Sequence, residues 1–331
     1  MPTGAFLDEI IANKEQIKEV YFSFGDMPNG RGALPREDYL TEYEKRERME
    51  HDLGLLAKAG IKFNLLFNGN CYGRHSQSRA LMNKVGDTAA YIADRYGLSS
   101  VTTSSPLIAK FVKANFDGVE VRASVNMEIG TVEGIDYLAD YFDSFYIKRE
   151  CNRNRAALDI LSAHLKSLDK KMYLLANSGC LNFCSAHTFH DNLVSHEREI
   201  AEMDNAYQFS GACRDYLTSG ENKYNLLARS NFIRPEDIHL YEKYTDAVKL
   251  ATRISNNPLA ILSAYLRGYY GGSLTSLTEP DHTGVFLPEV VENSKLPKDF
   301  GKRVMECSHN CAECGYCKEA LKAALVKLED F

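Results

Sequence analysis

SVTTSSPLIAKFVKANFDGVEVRASVNM (100–127) decides the fold. It opens on one β-rich run, SVTTSS (100–105), and closes on another, VEVRASVNM (119–127). Between them Ser105 followed by Pro106 reads as a helix cap with a first-turn proline, opening PLIAKFVKANF. Six further β-rich segments lie outward of this unit: VYFSFGD (20–26), IKFNLLFNG (61–69), SFYIKRE (144–150), KMYLLANSG (171–179), ARSNFIRPED (228–237) and AVKLATR (247–253). Helical patterns follow most of them. Asp87 caps TAAYIADRY and Gly97 stops it, while Leu158, Leu161, Leu165 and Leu168 keep helical spacing. Leu259, Leu262 and Leu266 do the same after Asn257-Pro258. Eight strands alternating with helices predict an α/β fold of the (β/α)8 TIM-barrel type. An open doubly wound sheet is the runner-up, but no G-x-G-x-x-G follows the first strand.

Two connections, 27–60 and 180–227, are too long for simple crossovers and read as functional loops over the top face. After residue 270 the alternation stops. The expected division is a barrel over 1–270 and a C-terminal extension over 271–331 that closes the barrel mouth, ending in an amphipathic helix with Leu321, Leu325 and Leu328. A net charge of -6 argues against a partner held by nucleic-acid phosphates. No apolar run has the length of a membrane span, so no membrane partner is expected. The first twenty residues lack an apolar signal core, which leads us to expect a cytoplasmic protein. Its nine cysteines then read as reduced thiols that serve as metal or cluster ligands, not disulfides.

Four of them crowd one segment, Cys307-x3-Cys311-x2-Cys314-x2-Cys317. A compact cubane cluster takes three or four thiolates from such a short loop, whereas structural zinc usually takes two well-separated pairs. The ligand register stays open between Cys307, Cys311 and Cys314, the later trio ending at Cys317, and all four. A second thiol group, Cys180 and Cys184 with His187, His190 and His196 nearby, becomes a metal site if Cys151 or Cys213 joins it; packed core thiols are the plainer reading. Cys71 reads as a pocket-wall or core thiol.

In a barrel, residues at the carboxyl ends of strands line the active site. Here those ends carry Gly25, Asp26, Asn68, Asn70, Cys71, Ser104, Asn126, Arg149, Glu150, Asn177, Ser178, Arg234 and Arg253. The set is rich in amides and arginines and poor in histidine. It suits a polar heterocycle, a diol or an amino-acid carboxylate better than mononuclear metal hydrolysis. Ion pairing across the barrel top is the alternative for Arg149, Glu150 and Arg253. The loop FGDMPNGRGA (24–33), with Gly25, Gly30 and Gly32, reads as a ligand cradle or an ordinary flexible turn.

Two resemblances follow. NSGCLNFCSAHTFHDN and FIRPEDIHLYEKYTDAVKLATR resemble the U32-peptidase-like barrel proteins, several of which carry iron–sulfur clusters. The triad Cys307, Cys311, Cys314 resembles that of a small branch of the radical S-adenosylmethionine (SAM) superfamily, the queuine lyase type. That resemblance implies a [4Fe–4S] cluster on these three cysteines, SAM on its open iron, and an electron from flavodoxin or ferredoxin. The implied substrate is a deazaguanine base, queuine, cut to its precursor base. From their places at the predicted strand ends, Asn126, Asn177 and Arg253 are then expected to hold SAM, and Asp26, Asn70 and Glu150 the base. Two departures stand out: DMPNGRGA follows the first strand without a cysteine, and Glu313 stands where such enzymes usually have an aromatic residue. The alternative is a U32-like iron–sulfur protein acting as an oxygen-independent hydroxylase or peptidase, its ligands drawn partly from Cys151, Cys180, Cys184 and Cys213. A zinc- or cluster-stabilised binding protein on a barrel scaffold is the non-enzymatic reading.

Overall fold

Seven parallel strands run in chain order: β1 (Val20–Phe22), β2 (Phe63–Phe67), β3 (Ser100–Thr103), β4 (Glu120–Ala123), β5 (Ser144–Tyr146), β6 (Lys171–Leu175) and β7 (Val248–Lys249). They belong to a computed structural model of the chain, which describes residues 4–30, 40–204, 207, 209–311 and 313–330. Each strand pairs with the next, with Asn64 opposite Ser100 and Ser100 opposite Glu120, so the sheet curls in the TIM-barrel manner. Ser105 caps the helix Pro106–Asn115, its side chain accepting the Ile108 N–H. Ile108, Ala109 and Val112 of that helix are fully buried, as are Val85, Ala89 and Ile92 of Arg79–Tyr96, which Ser78 caps, so the expected cap Asp87 lies inside the helix. Leu158, Leu161 and Leu165 pack the same way, each such burial contributing about 1.5–3 kcal/mol.

The expected eight barrel strands are corrected to seven in the parallel sheet, among the described residues. ARSNFIRPED is not a strand: Leu226–Arg229 is helical and Pro235–Tyr241 forms a 3-10 turn. Phe232 and Ile233 supply the apolar look of a strand, but the buried pair Arg234 Nε–Asp237 Oδ2, at 2.6 Å, folds the segment back on itself. Isolated ladder-like contacts remain: Ile233 N–H donates to the Ala176 carbonyl at 2.7 Å, and Ser230 bridges antiparallel to Leu181. No described backbone ladder joins β7 to β1. Side chains make that junction instead, with Tyr21 Oη donating to the Leu250 carbonyl at 2.8 Å. A cavity of about 1130 Å³ opens beside it.

The sheet interior holds a buried ion-pair network. Arg122 contacts Glu19 Oε1 at 2.5 Å and Glu120 Oε1 at 2.9 Å. Asn64 and Ser100 donate to Glu19, and Ser144 and Lys171 to Glu120. Burial works against the Glu120 charge, but Arg122 and Ser144 outweigh it and hold the carboxyl down at about 2.

The C-terminal residues pack onto the long excursion after β6. Leu217, Leu226, Leu227 and Phe232 share a second apolar core with Leu274, Phe286, Phe300 and Leu321. A two-stranded antiparallel ribbon, β8 (Glu289–Val291) with β9 (Leu325–Lys327), borders it. The last helix is shorter than its leucine spacing predicts: it runs only over Tyr316–Ala323, and Leu325 lies on β9. Gly179 N–H donates to the Glu279 carbonyl and Glu279 N–H to the Asn177 carbonyl, seating this region on the carboxyl end of β6. Among the described residues no helix is long and apolar enough to cross a membrane.

Candidate functional site

At the carboxyl ends of β4, β5 and β6 a small cleft of about 100 Å³ is lined by Glu128, Lys148, Arg149, Glu150, Cys180 and His187, among others. The 3-10 turn Arg149–Arg153 supplies its floor immediately after β5. Arg149 Nη1 donates to Glu128 Oε1 at 3.2 Å and lies 3.2 Å from His187 Nε2. His187 Nδ1 is 3.0 Å from the same Glu128 oxygen, and its Nε2 is 3.5 Å from Asp191 Oδ1. The hydrogen bond to Glu128 raises the His187 pKa, against the opposing effects of burial and of Arg149. For Glu128 burial acts upward, but His187 and Arg149 win and lower it. Glu128 sits at φ 56, a left-handed turn residue that aims its carboxylate back over the cleft.

The network reaches the neighbouring strand ends. Arg149 Nη2 donates to Asn126 Oδ1 at 3.3 Å, and Asn126 Nδ2 to the Asn68 carbonyl at 3.2 Å. Asn70 Nδ2 donates to Asp191 Oδ2 at 3.0 Å. Gly30 N–H donates to Asn68 Oδ1, and a Cβ at Gly30 would fall 2.2 Å from Asn126 Nδ2, so only glycine fits there. That glycine belongs to the expected cradle loop, whose residues 31–33 lie outside the described residues. Buried polar atoms nearly always find partners. Yet Arg149 Nε, Glu150 Oε2, Asn231 Oδ1 and Asn70 Oδ1 find none among the described residues. Three of these four residues line the cleft directly. Such a concentration of orphaned donors and acceptors is what a polar ligand satisfies.

The strand-end residues of the sequence reading therefore divide. Asn70, Asn126 and Glu150 converge on this network, and Glu150 Oε1 also accepts the Phe183 N–H at 3.0 Å. Asp26 stands apart, half-exposed and paired with Lys84, whose hydrogen bond lowers its pKa. Asn177 is fully buried with its amide committed to backbone: it donates to the Ala251 and Leu277 carbonyls and accepts the Ala251 N–H. Arg253 lies at the β1–β7 junction, where it donates to Ser23 Oγ at 3.2 Å. Sequence reasoning missed Glu128, Asp191 and Arg153; only the basic run RECNRNR (149–155) signalled the last.

Arg153 closes the same turn and faces the other way, toward the cysteine-rich segment. It is buried, and its Nη atoms donate to the Leu227 carbonyl at 2.5 Å and the Phe232 carbonyl at 3.3 Å. Its Nε has no partner among the described residues. Burial lowers its pKa, opposed first by the neighbouring Cys317 and then by Tyr241 and Asp237. In turn burial pushes the Cys317 thiol up to about 11, with Arg153 opposing and Cys307, Cys311 and Cys314 adding to the rise. His309, at φ 57, turns the segment so that its N–H meets Cys307 Sγ at 3.2 Å while Nε2 lies 3.2 Å from the Arg153 carbonyl. Cys213 neighbours Cys180 and Cys184 in a second group. Cys151 instead belongs to the main apolar core, where burial raises it to about 11. Among the described residues no three His, Cys, Asp or Glu side chains already stand in metal-binding geometry.

No family model matches this chain. It is 25% identical over 324 residues to an uncharacterized protease of Methanocaldococcus jannaschii, covering 94% of this chain and 90% of that protein. Among solved structures, a U32 peptidase superposes with a TM-score of 0.47 at 18% identity, covering 61% of this chain and 78% of that one. A mandelate racemase/muconate lactonizing enzyme-like protein from Rubrobacter xylanophilus superposes with a TM-score of 0.34 at 14% identity, over 57% and 45% of the two chains.

Proposed function

We propose that this chain is a U32-like iron–sulfur enzyme: Cys307, Cys311, Cys314 and Cys317 hold a [4Fe–4S] cluster beside Arg153, and a polar substrate binds in the cleft one turn away. The observation that carries this reading is Arg153. Among the described residues no carboxylate is bonded to this buried guanidinium and its Nε has no partner, so it needs negative charge close by. Thiolates bound to a cluster supply that charge beside Cys317, and the soft sulfur donor set suits iron. When bound, the cluster contributes one-electron transfer. The protein's own part is positioning. Arg149 and Glu150 offer a donor and an acceptor to the substrate, and His187, held between Glu128 and Asp191, gives or takes a proton at Nε2. The name protease on the archaeal relative, matched along nearly the whole chain, favours the U32-like reading over the radical SAM one.

A second ligand set has an observation of its own, the proximity of Cys213 to Cys180 and Cys184. The deciding experiment is anaerobic reconstitution with iron and sulfide, then iron analysis and electron paramagnetic resonance of the reduced protein. The C-terminal reading expects Cys311→Ala and Cys314→Ala to lose the signal while Cys180→Ala and Cys184→Ala keep it. The reverse pattern moves the cluster to the second set. A signal that changes on adding SAM would overturn the four-thiolate assignment in favour of three ligands, an open iron and the queuine lyase type of chemistry. Zinc without sulfide would sink the iron–sulfur reading altogether.

A further inference from the structure

A second reactive group stands apart from the cleft and from the cysteine-rich segment. Cys71 follows β2 by four residues, at the carboxyl end of the sheet, and is partly exposed. The His196 imidazole stands beside its thiol. His196 Nδ1 lies 3.1 Å from Glu199 Oε2. The Gly73 backbone N–H also donates to Cys71 Sγ, at 3.3 Å. Gly73 adopts φ 55, and a Cβ there would come 3.6 Å from His196 Cε1, so the turn and the imidazole are in close register.

This meeting is built in by the residues that precede each partner. Asn70 N–H, one residue before Cys71, donates to Ser195 Oγ at 2.9 Å. Ser195, one residue before His196, is buried and donates to the Asp191 carbonyl at 2.8 Å. The loop after β2 and the end of the helix His187–Ser195 are thus tied together immediately behind the thiol and the imidazole. A thiol beside an imidazole that is itself oriented by a carboxylate is the arrangement that activates cysteine for attack on carbonyl carbon.

We propose that Cys71, His196 and Glu199 form a thiol nucleophile site that hydrolyses acyl donors such as esters and thioesters. Cys71 sulfur attacks the carbonyl carbon, the bond to the leaving alcohol or thiol breaks, and His196 returns the proton to that group. Water, deprotonated by His196, then attacks the thioester, releasing the acid and restoring the thiol. Only water is consumed and nothing is oxidised. Cys71 and His196 are the catalytic pair; Glu199 is a positioning residue. The shifts agree with this pairing: the His196 hydrogen bond lowers Cys71, helped by Gly73 N–H, and the Cys71 hydrogen bond raises His196, helped by Glu199. His196 and Glu199 are the charged groups that act on the thiol.

The test uses the full chain and p-nitrophenyl acetate. A burst of nitrophenolate is expected, with the acetyl group mapped by mass spectrometry to Cys71 among the nine cysteines. Cys71→Ser should abolish burst and adduct, and His196→Gln should slow acylation about 10²–10⁴-fold. Glu199→Gln, on an exposed side chain, should leave the circular dichroism spectrum unchanged and move the alkaline limb of the pH–rate profile to lower pH. Acetylation spread evenly over the cysteines, or His196→Gln and Glu199→Gln proteins that are folded and react with an unaltered rate and profile, would overturn the proposal. Should Cys71→Ser misfold, iodoacetamide labelling of wild type and Glu199→Gln below pH 7 decides: Cys71 must be the fastest thiol in the wild type.

Discussion

Arg122 and Arg153 are both buried, yet their surroundings differ completely. Arg122 lies inside the sheet between Glu19 and Glu120, over the ring of Tyr173 at 4.0 Å. Burial opposes its charge, but Tyr146, Glu19 and Glu120 more than compensate, and its pKa rises. Arg153 has two backbone carbonyls, aromatic faces at Phe232 and Phe300, and an Nε with no described partner; its pKa falls. Arg122 has two carboxylates bonded to it inside the sheet, whereas Arg153, under the cysteine-rich segment, has none among the described residues. That contrast is why we propose a cluster on the C-terminal thiols and not elsewhere.

The contrast can be broken in order of expected effect. Arg122→Met strands Glu19 and Glu120 and should cost about 3–5 kcal/mol in urea unfolding, equally with and without iron. A cost that depends on iron loading would mean the two regions are not separate. Leu321→Ala empties a fully buried position in the second core and should cost about 2–5 kcal/mol. Because that core carries the cysteine-rich segment, reconstituted iron should fall with it; unchanged iron uptake would point to the Cys180 group. The smallest effect concerns the His187–Glu128 pair, which is partly exposed and worth at most about 1 kcal/mol. His187 is raised in the folded state, so its contribution is complete below its ordinary pKa of about 6.5 and lost as pH rises through the raised value. Glu128 is lowered, so its share is present above its ordinary range and lost as pH falls through the depressed value. Stability curves of wild type and Glu128→Gln from pH 5 to pH 8 should therefore converge toward the alkaline end.

Periodicity and capping carried the first six strands, because local signals such as Ser105-Pro106 coincide there with burial of one helix face. They failed at 228–237, where Arg234 and Asp237 satisfy each other three residues apart and turn the chain before a strand can form. Leu325 likewise kept helical spacing but lies on β9, since pairing with Val291 overrides propensity. At the site, Glu150 was readable as a strand-end carboxylate. Glu128 was not, because its role depends on a left-handed backbone that no spacing announces. Asn177 illustrates the converse: its position suggests a ligand contact, while its amide is occupied by Ala251 and Leu277.

The most direct test compares wild type with Arg153→Met, each melted before and after anaerobic reconstitution with iron and sulfide. If Arg153 balances the cluster, loading raises the melting temperature of wild type, and the Arg153→Met protein melts no lower than wild type when empty but loses most of that gain. An equal gain in both proteins, or no iron retained by wild type, would contradict the account.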